Sequence, residues 1–309
     1  MSQKLITERA IQGKYYALLE NPVTPMVSAL TMMIPSNQDI ERHAWLGMVP
    51  GFREWIGGRQ AQKLRASEFS IANKDFESTM AYHYRERTED KTGQLDIRLN
   101  EHALRALGHD EALLSQQVID AESTACYDGQ YFFDTDHSEG ASGTQSNDIT
   151  SAASSTTAPT TAEMEKAILA AIAKIISFKD DQGEPMNQNA KKFLVMVPAA
   201  MWGAARAAVG AQTITDGSGS RTGLISGWGD IQVEVVMNPR LTWTTKIAVF
   251  RIDGSVKPFI QQVREPVTVD VLGEGSDYYF DTGEVKVSLK KAGNVGLGMW
   301  QMACLVTFT

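Results

Sequence analysis

The residues able to do chemistry are few and scattered. Five histidines stand at His43, His83, His102, His109 and His137. None falls in an HExxH pattern or beside a cysteine at zinc-ligand spacing. The nearest thing to a cation set is "DTDH", which offers Asp134, Asp136 and His137. The residues after it lack the glycine and glutamate of a calcium loop, so a polar turn is the plainer reading. "GSGSRTG" (217–223) has glycines that could cradle a phosphate. It lacks the Gly-Lys-Ser/Thr ending and reads better as a glycine loop. There is no Gly-x-Ser-x-Gly nucleophile elbow. Cys304, in "MACLVTF", has the setting of a small core residue. Cys126, at a helix end, would act as a nucleophile only beside a base that depresses its pKa.

Charge does not assemble a site either. Arg59, Lys63 and Arg65 with Phe69 imitate a basic-aromatic nucleic-acid face. Glu54, Glu68, Asp75, Glu77 and Glu86 interleave with them. Mixed-sign charge on an extended ribbon suits salt bridges to a protein partner. A net charge of −8 argues against a protein whose task is to grip phosphate backbones. No catalytic, cofactor or metal set is left, and the chain reads as a non-enzyme.

What must position these residues is a chain of 309 residues, 43% hydrophobic and 21% charged, long enough for one large domain or two ordinary ones. Two cysteines make no disulfide framework and fit a reducing cytoplasm. The first residues lack the apolar core of a secretory signal, and no run approaches the roughly 20 apolar residues of a membrane span.

Ile6, Ile11, Tyr15 and Leu19 predict a short helix. Prolines from Pro22 to Pro35 then forbid a long one, and an arm lying on another surface is expected. From Phe76 to Tyr84 alternation is clean, with Phe76, Ser78, Met80, Tyr82 and Tyr84 on one face. A second strand near Leu64–Ile71 and a turn at "ANKD" (72–75) predict a long β-hairpin, about nine residues or ~30 Å per strand. Such a hairpin lacks a core of its own and needs a partner surface.

Residues 95–126 read as helical, with Leu104, Leu107, Leu114, Val118 and Ile119 on one stripe. "GHD" at 108–110 divides the helix, with Asp110 as a cap. "SEGASGTQSNDITSAASSTTAPT" is a surface loop and a subdomain boundary. Thr160 and Glu163 form a capping box ahead of a helix that faces Met164, Ile168, Ile172 and Ile175 inward. "KKFLVMVP" is a buried strand followed by a helix. "TDGSGSRTGLISGWGD" is a long loop, and the remainder is strand-rich. The fold class is α+β.

In order, "EWIGGRQAQKL", "FESTMAYHYRERTEDKTG" and "YDGQYFFDTDH" resemble blocks of the major capsid proteins of tailed phages. More narrowly, they resemble the major head subunit of Mu-like phages and prophages, the gpT family. The later resemblance is one of element order. It implies a Hong Kong 97-type fold in four regions. Residues 1–52 would be an N-terminal arm, and 53–94 an extended loop lying across a neighbouring subunit. Residues 95–157 and 259–295 would form a peripheral domain with its spine helix near 110–126. Residues 158–258 and 296–309 would form an axial domain.

The resemblance implies intersubunit contacts at Trp55, Arg59, Lys63, Arg65, Phe69, Ile71, Asn73, Lys74, Phe76, Met80, Tyr82 and Tyr84. It also implies a loop near the fivefold and sixfold axes at Asp216, Gly217, Ser218, Gly219 and Arg221. The implied partners are further copies in hexamers and pentamers of an icosahedral shell around double-stranded DNA, held without specific binding. A separate scaffolding protein, a portal and a decoration protein complete the set, with no membrane. The place would be the virion, assembled in the host bacterial cytoplasm. A tail or baseplate component using the hairpin as a docking arm is the alternative.

Overall fold

A computed structural model describes residues 8–20, 25–43, 69–89, 93–216 and 219–309. Among them the chain opens with helices α1 (Glu8–Leu19) and α2 (Pro25–Leu30) and strands β1 (Thr31–Pro35) and β2 (Ile40–Arg42). Next come β3 (Ser70–Ala72), β4 (Lys74–His83), α3 (Tyr84–Thr88), α4 (Gln94–Leu107) and α5 (His109–Asp120). The middle holds β5 (His137–Ser138), β6 (Thr144–Gln145), β7 (Asp148–Ser151), α6 (Thr161–Ser177), β8 (Lys192–Val197) and α7 (Trp202–Gly210). The last third holds β9 (Thr213–Asp216), β10 (Gly219–Thr222), β11 (Gln232–Met237) and β12 (Lys246–Arg251). It closes with β13 (Phe259–Leu272), α8 (Asp277–Thr282), β14 (Glu284–Leu297) and β15 (Ala303–Phe308).

Two larger sheets organise these pieces. A five-stranded sheet runs β11-β8-β12-β15-β7, and a four-stranded sheet runs β1-β13-β14-β4. In the first, β8, β12 and β15 are buried almost end to end. Continuous burial is what strands covered on both faces require, and it explains their unbroken apolar text. Helix α6 packs on this sheet through Met164, Ile168, Ile172 and Ile175. Its start is the predicted capping box: the Thr160 hydroxyl accepts from the Glu163 backbone, and the Glu163 carboxylate accepts from the Thr160 backbone.

The four-stranded sheet is built around the long ribbon β13–β14, whose residues pair from Phe259↔Leu297 to Leu272↔Lys286. Helices α1 and α4 cover it with Ile11, Tyr15, Leu95, Leu99 and Ala103 against Tyr82, Val269, Val285, Val287 and Leu289. Strand β3 crosses β14 closely. A Cβ on Gly296 would overlap the Ile71 side chain, so only glycine fits there.

Four expectations change. Among the described residues β4 is not a free strand: it pairs along its whole length with β14, from Lys74↔Gly293 to His83↔Glu284, and β3 pairs with β2, while residues 64–68 of the other expected strand lie outside the described residues. Alternation specifies a strand and its two faces, but says nothing of which strand lies beside it. Tyr84 does not continue the strand, because it opens α3. The apolar stripe through 95–126 is not continuous either. The buried face of α4 is Leu95, Leu99 and Ala103, which leaves Leu104 58% exposed. The break at Gly108 resets the helical phase. Gly108 rather than Asp110 is the N-cap of α5, and that helix stops at Asp120. Finally, "TDGSGSRTG" is not an open loop, since β9 and β10 pair within it.

Candidate assembly surfaces

Trp55, Arg59, Lys63 and Arg65 lie outside the described residues, as do Gly217 and Ser218. The remaining predicted contact residues do not share one outward face. Ile71 is buried with Ile260, Met299 and Met302. Tyr82 is buried in the core under α1 and α4. These two are corrections: a strand that acts as the sheet's fourth member turns its inward side chains into its own chain's core. Phe69 and Met80 are half-buried against the same cores. Asn73 Nδ2 donates to Ser36 Oγ and to the Gln38 carbonyl, both at 2.7 Å, so its amide is engaged within the chain. Lys74 and Tyr84 are exposed. Phe76 is half-buried, its ring edge-on to His109 at 4.4 Å.

Strand β4 is tied down from the helix side as well. His102 bridges α1 to β4, with Nδ1 2.9 Å from the Tyr15 hydroxyl and Nε2 2.8 Å from Ser78 Oγ. Burial pushes the Tyr15 phenol up and the His102 imidazole down, so both stay neutral near pH 7.

The β9–β10 hairpin is anchored by a carboxylate that the sequence reading missed. Glu165 of α6 is fully buried, at 0% exposure. Its Oε2 lies 2.6 Å from Arg221 Nη2, and its Oε1 accepts from the Leu224 backbone at 2.6 Å. A charge so deep requires a partner, and Arg221 supplies one from the hairpin. The signal was available as a glutamate on the apolar face of α6, next to Met164 and three residues before Ile168.

A second buried network gathers residues of "YDGQYFFDTDH". The Cys126 thiol donates to Asp128 Oδ1 at 2.9 Å, and His137 Nδ1 donates to Asp128 Oδ2 at 2.7 Å. The His137 ring lies flat on Trp300, with centroids 3.9 Å apart and planes 9° from parallel. Burial pushes the Asp128 carboxyl up, but the bonds from His137 and Cys126 outweigh it and hold it below its ordinary range. Burial and the Asp128 charge push the Cys126 thiol up, and burial does the same for Cys304. Both sulfurs are protonated core groups rather than nucleophiles.

Among the described residues, Cys126, Asp128 and His137 do bring ligand atoms within 4.8 Å of one another. Each of the two donors already gives its proton to the carboxylate, so the arrangement closes as hydrogen bonds. The suggested trio of Asp134, Asp136 and His137 does not gather. Asp134 accepts from the Tyr131 and Thr135 backbones instead, at 3.3 and 2.7 Å.

The geometry therefore offers packed sheets, an anchored hairpin and a braced ribbon. A family model described as phage capsid protein matches residues 113–296, which is more than half of the sequence. The chain belongs to the phage capsid protein family. A second model, the Mu-like prophage major head subunit gpT, matches residues 7–159. Two curated relatives fall in the same group. One is the Mu-like prophage FluMu major head subunit of Haemophilus influenzae, 33% identical over 112 residues, 36% of this chain and 36% of that one. The other is the major capsid protein of Escherichia phage Mu, 32% identical over 108 residues, 35% of each chain. The alignments thus span about a third of those relatives' length. A chain of the bacteriophage JBD30 procapsid matches in structure with a TM-score of 0.54 and 20% identity, covering 99% of this chain and 76% of that one. The fold is the Hong Kong 97 type.

Within that fold the two larger sheets share one core cluster, which takes Phe259, Val295 and Leu297 from the β13–β14 ribbon. Strand β7 pairs in parallel with β15 in the five-stranded sheet, and α5 shares that sheet's core through Leu114 and Val118. Residues 74–83 belong to the four-stranded sheet rather than to a free extended loop. No described helix is long and apolar enough to cross a membrane.

Proposed function

We propose that this chain is the major head subunit of a Mu-like tailed phage, a non-catalytic building block of the virion. Copies join as hexamers and pentamers of an icosahedral shell around double-stranded DNA. The observation that carries this reading is the fold, which follows a phage procapsid chain over 99% of this sequence. The capsid family match over residues 113–296 supports it. So does the acidic balance of −8, since a container that clung to DNA would hinder its passage.

The β9–β10 hairpin faces the fivefold and sixfold axes, held at its base by Glu165. The arm, together with residues 53–73, reaches a neighbouring subunit. Scaffolding, portal and decoration proteins act as separate partners, and assembly takes place in the host cytoplasm. Many weak contacts per copy suffice, because each copy is held by several neighbours at once. Electron microscopy of the purified protein is the test. Closed shells of megadalton mass are expected, whereas small rings or trimers would point to a tail or baseplate part.

A further inference from the structure

The turn that joins β13 to β14 carries a side chain with no partner surface among the described residues of its own subunit. Phe280 of α8 is 90% exposed, against 64% for Ile97, the next most exposed large apolar residue among those described. The helix that presents it is firmly built. The Ser276 hydroxyl caps it by accepting from the Tyr279 backbone. Gly283 ends it at φ +67°, a conformation that glycine adopts without strain. The Lys286 ammonium sits 3.6 Å from the centre of the Tyr278 ring at its base. Asp277 and Asp281 flank Phe280 in the sequence, with Glu274 just ahead. A rigid aromatic knob is thus displayed in an acidic collar.

Farther down the same ribbon lies a cavity of about 280 Å³. Its apolar lining includes Phe76, Ala106, Val267 and Leu289, and its charged lining is Arg105, Lys290 and Lys291 with Glu77. The lining thus holds three cations and one carboxylate, and each cation has a further carboxylate beside it: Glu101 at Arg105, Glu265 at Lys290 and Asp110 at Lys291. Existing partners leave two of these cations exchangeable. Arg105 pairs with Glu101 across the surface, both more than half exposed, and Lys290 lies 3.8 Å from Glu265 in an equally exposed pair. The volume is ample, since a cavity of about 150 Å³ holds a benzene ring. In register, Leu272↔Lys286 near the tip and Thr268↔Lys290 at the cavity are four residues apart, roughly 13 Å. Phe280 projects into solvent rather than back into the cavity of its own chain.

We propose that Phe280 of one copy enters this cavity in a second copy, with Asp277 and Asp281 facing Arg105 and Lys290. The occupant is a second copy because one chain carries both halves: an aromatic ring with carboxylates beside it, and a cavity large enough for that ring with two exchangeable cations at its mouth. Knob and hole are different surfaces, so the contact is heterologous. Each copy keeps one half free, and the pattern propagates around a ring or lattice instead of closing as a dimer. The proposal rests on the shell-forming function above and names one contact that function uses.

The test is photocrosslinking from position 280. Protein with Phe280→benzoylphenylalanine is irradiated both as assembled particles and as concentrated soluble protein, and adducts are mapped by mass spectrometry. Adducts on Phe76, Ala106, Val267 or Leu289 of another copy are expected. In parallel, Phe280→Ala should raise the protein concentration needed for assembly about thirtyfold, as removal of a buried aromatic anchor does. Arg105→Glu with Lys290→Glu should block assembly. Adding Asp277→Lys and Asp281→Lys to that chain should restore it. These are surface positions, so circular dichroism should show every variant folded.

Particles that form with adducts elsewhere, or with Phe280→Ala at the unsubstituted protein's concentration, overturn the knob and leave the shell function standing. Adducts on a different protein co-purified with the particles overturn it as well. Absence of particles from the unsubstituted chain overturns the shell function. In that case cavity adducts in concentrated solution would still support the contact, and their absence would remove it too.

Discussion

Tyr82 separates two accounts of the Phe76–Tyr84 segment. If the strand faces a neighbour, losing the ring weakens association; if it is a member of its own sheet, losing the ring weakens folding. The structure makes Tyr82 4% exposed, packed among Ile11, Tyr15, Leu99 and Val285. A buried tyrosine removes roughly 150–200 Å² from water, worth about 4 kcal/mol at about 25 cal/mol per Å². The cavity left behind adds to this, so Tyr82→Ser should cost about 3–5 kcal/mol, the range of large-aromatic truncations. Tyr84, 37% exposed on α3, should cost about 1 kcal/mol or less on the same change. The described residues form two main cores, so one unfolding midpoint is a poor probe. Hydrogen exchange resolves the region instead. Amides of α1, α4 and β14 should lose protection in Tyr82→Ser, and those of β8 and β12 should keep it. Unchanged protection with assembly lost would refute the reasoning and return Tyr82 to an intersubunit face.

Arg221→Ala should strand the buried Glu165 carboxylate. The cost is up to about 3 kcal/mol, trimmed because Arg221 itself is 38% exposed. Increased protease cleavage between β9 and β10 checks this, and wild-type resistance would contradict the anchoring role. Acid should destabilise the fold through His43, His102 and His109. Burial lowers all three below 6.5, and Lys291 adds to the effect at His109 and Arg105 at His102, while Glu41 opposes it at His43. The unfolded chain then takes up protons before the native one does. Stability is complete above pH 6.5 and falls as the pH drops below it. Glu139 and Asp148, raised by burial, act in the opposite sense. Urea midpoints at pH 7.5 and 5.8 read the histidine window, and a higher midpoint at pH 5.8 would reject the assignment.

Features set by neighbours in sequence were legible before the fold. The capping box at Thr160 and Glu163, the inward face of α6 and the unbroken apolar runs of β8, β12 and β15 each follow from a few adjacent side chains. The pairing of β4 was not legible, because its partner β14 lies some two hundred residues away and alternation carries no address. The phase reset at Gly108 hid Leu104's exposure, since a single stripe drawn across a break misassigns one of its halves. The Cys126–Asp128–His137 network was half visible. The block that holds it was singled out, but Asp134 and Asp136 look equally eligible until the chain lays His137 on Trp300 with its Nδ1 against Asp128. The Arg221–Glu165 pair needed three dimensions, although a glutamate on an apolar helix face is a signal that a partner must exist.

The place of β15 in its sheet has a consequence for synthesis. Residues 303–308 lie between β12 and β7, strands encoded roughly 55 and 155 positions earlier. A nascent chain therefore emerges with β7 waiting for a neighbour that has not yet been translated, and with the core beneath α6 open on that side. The five-stranded sheet stays incomplete until that segment clears the ribosome, because β7 joins it only through β15.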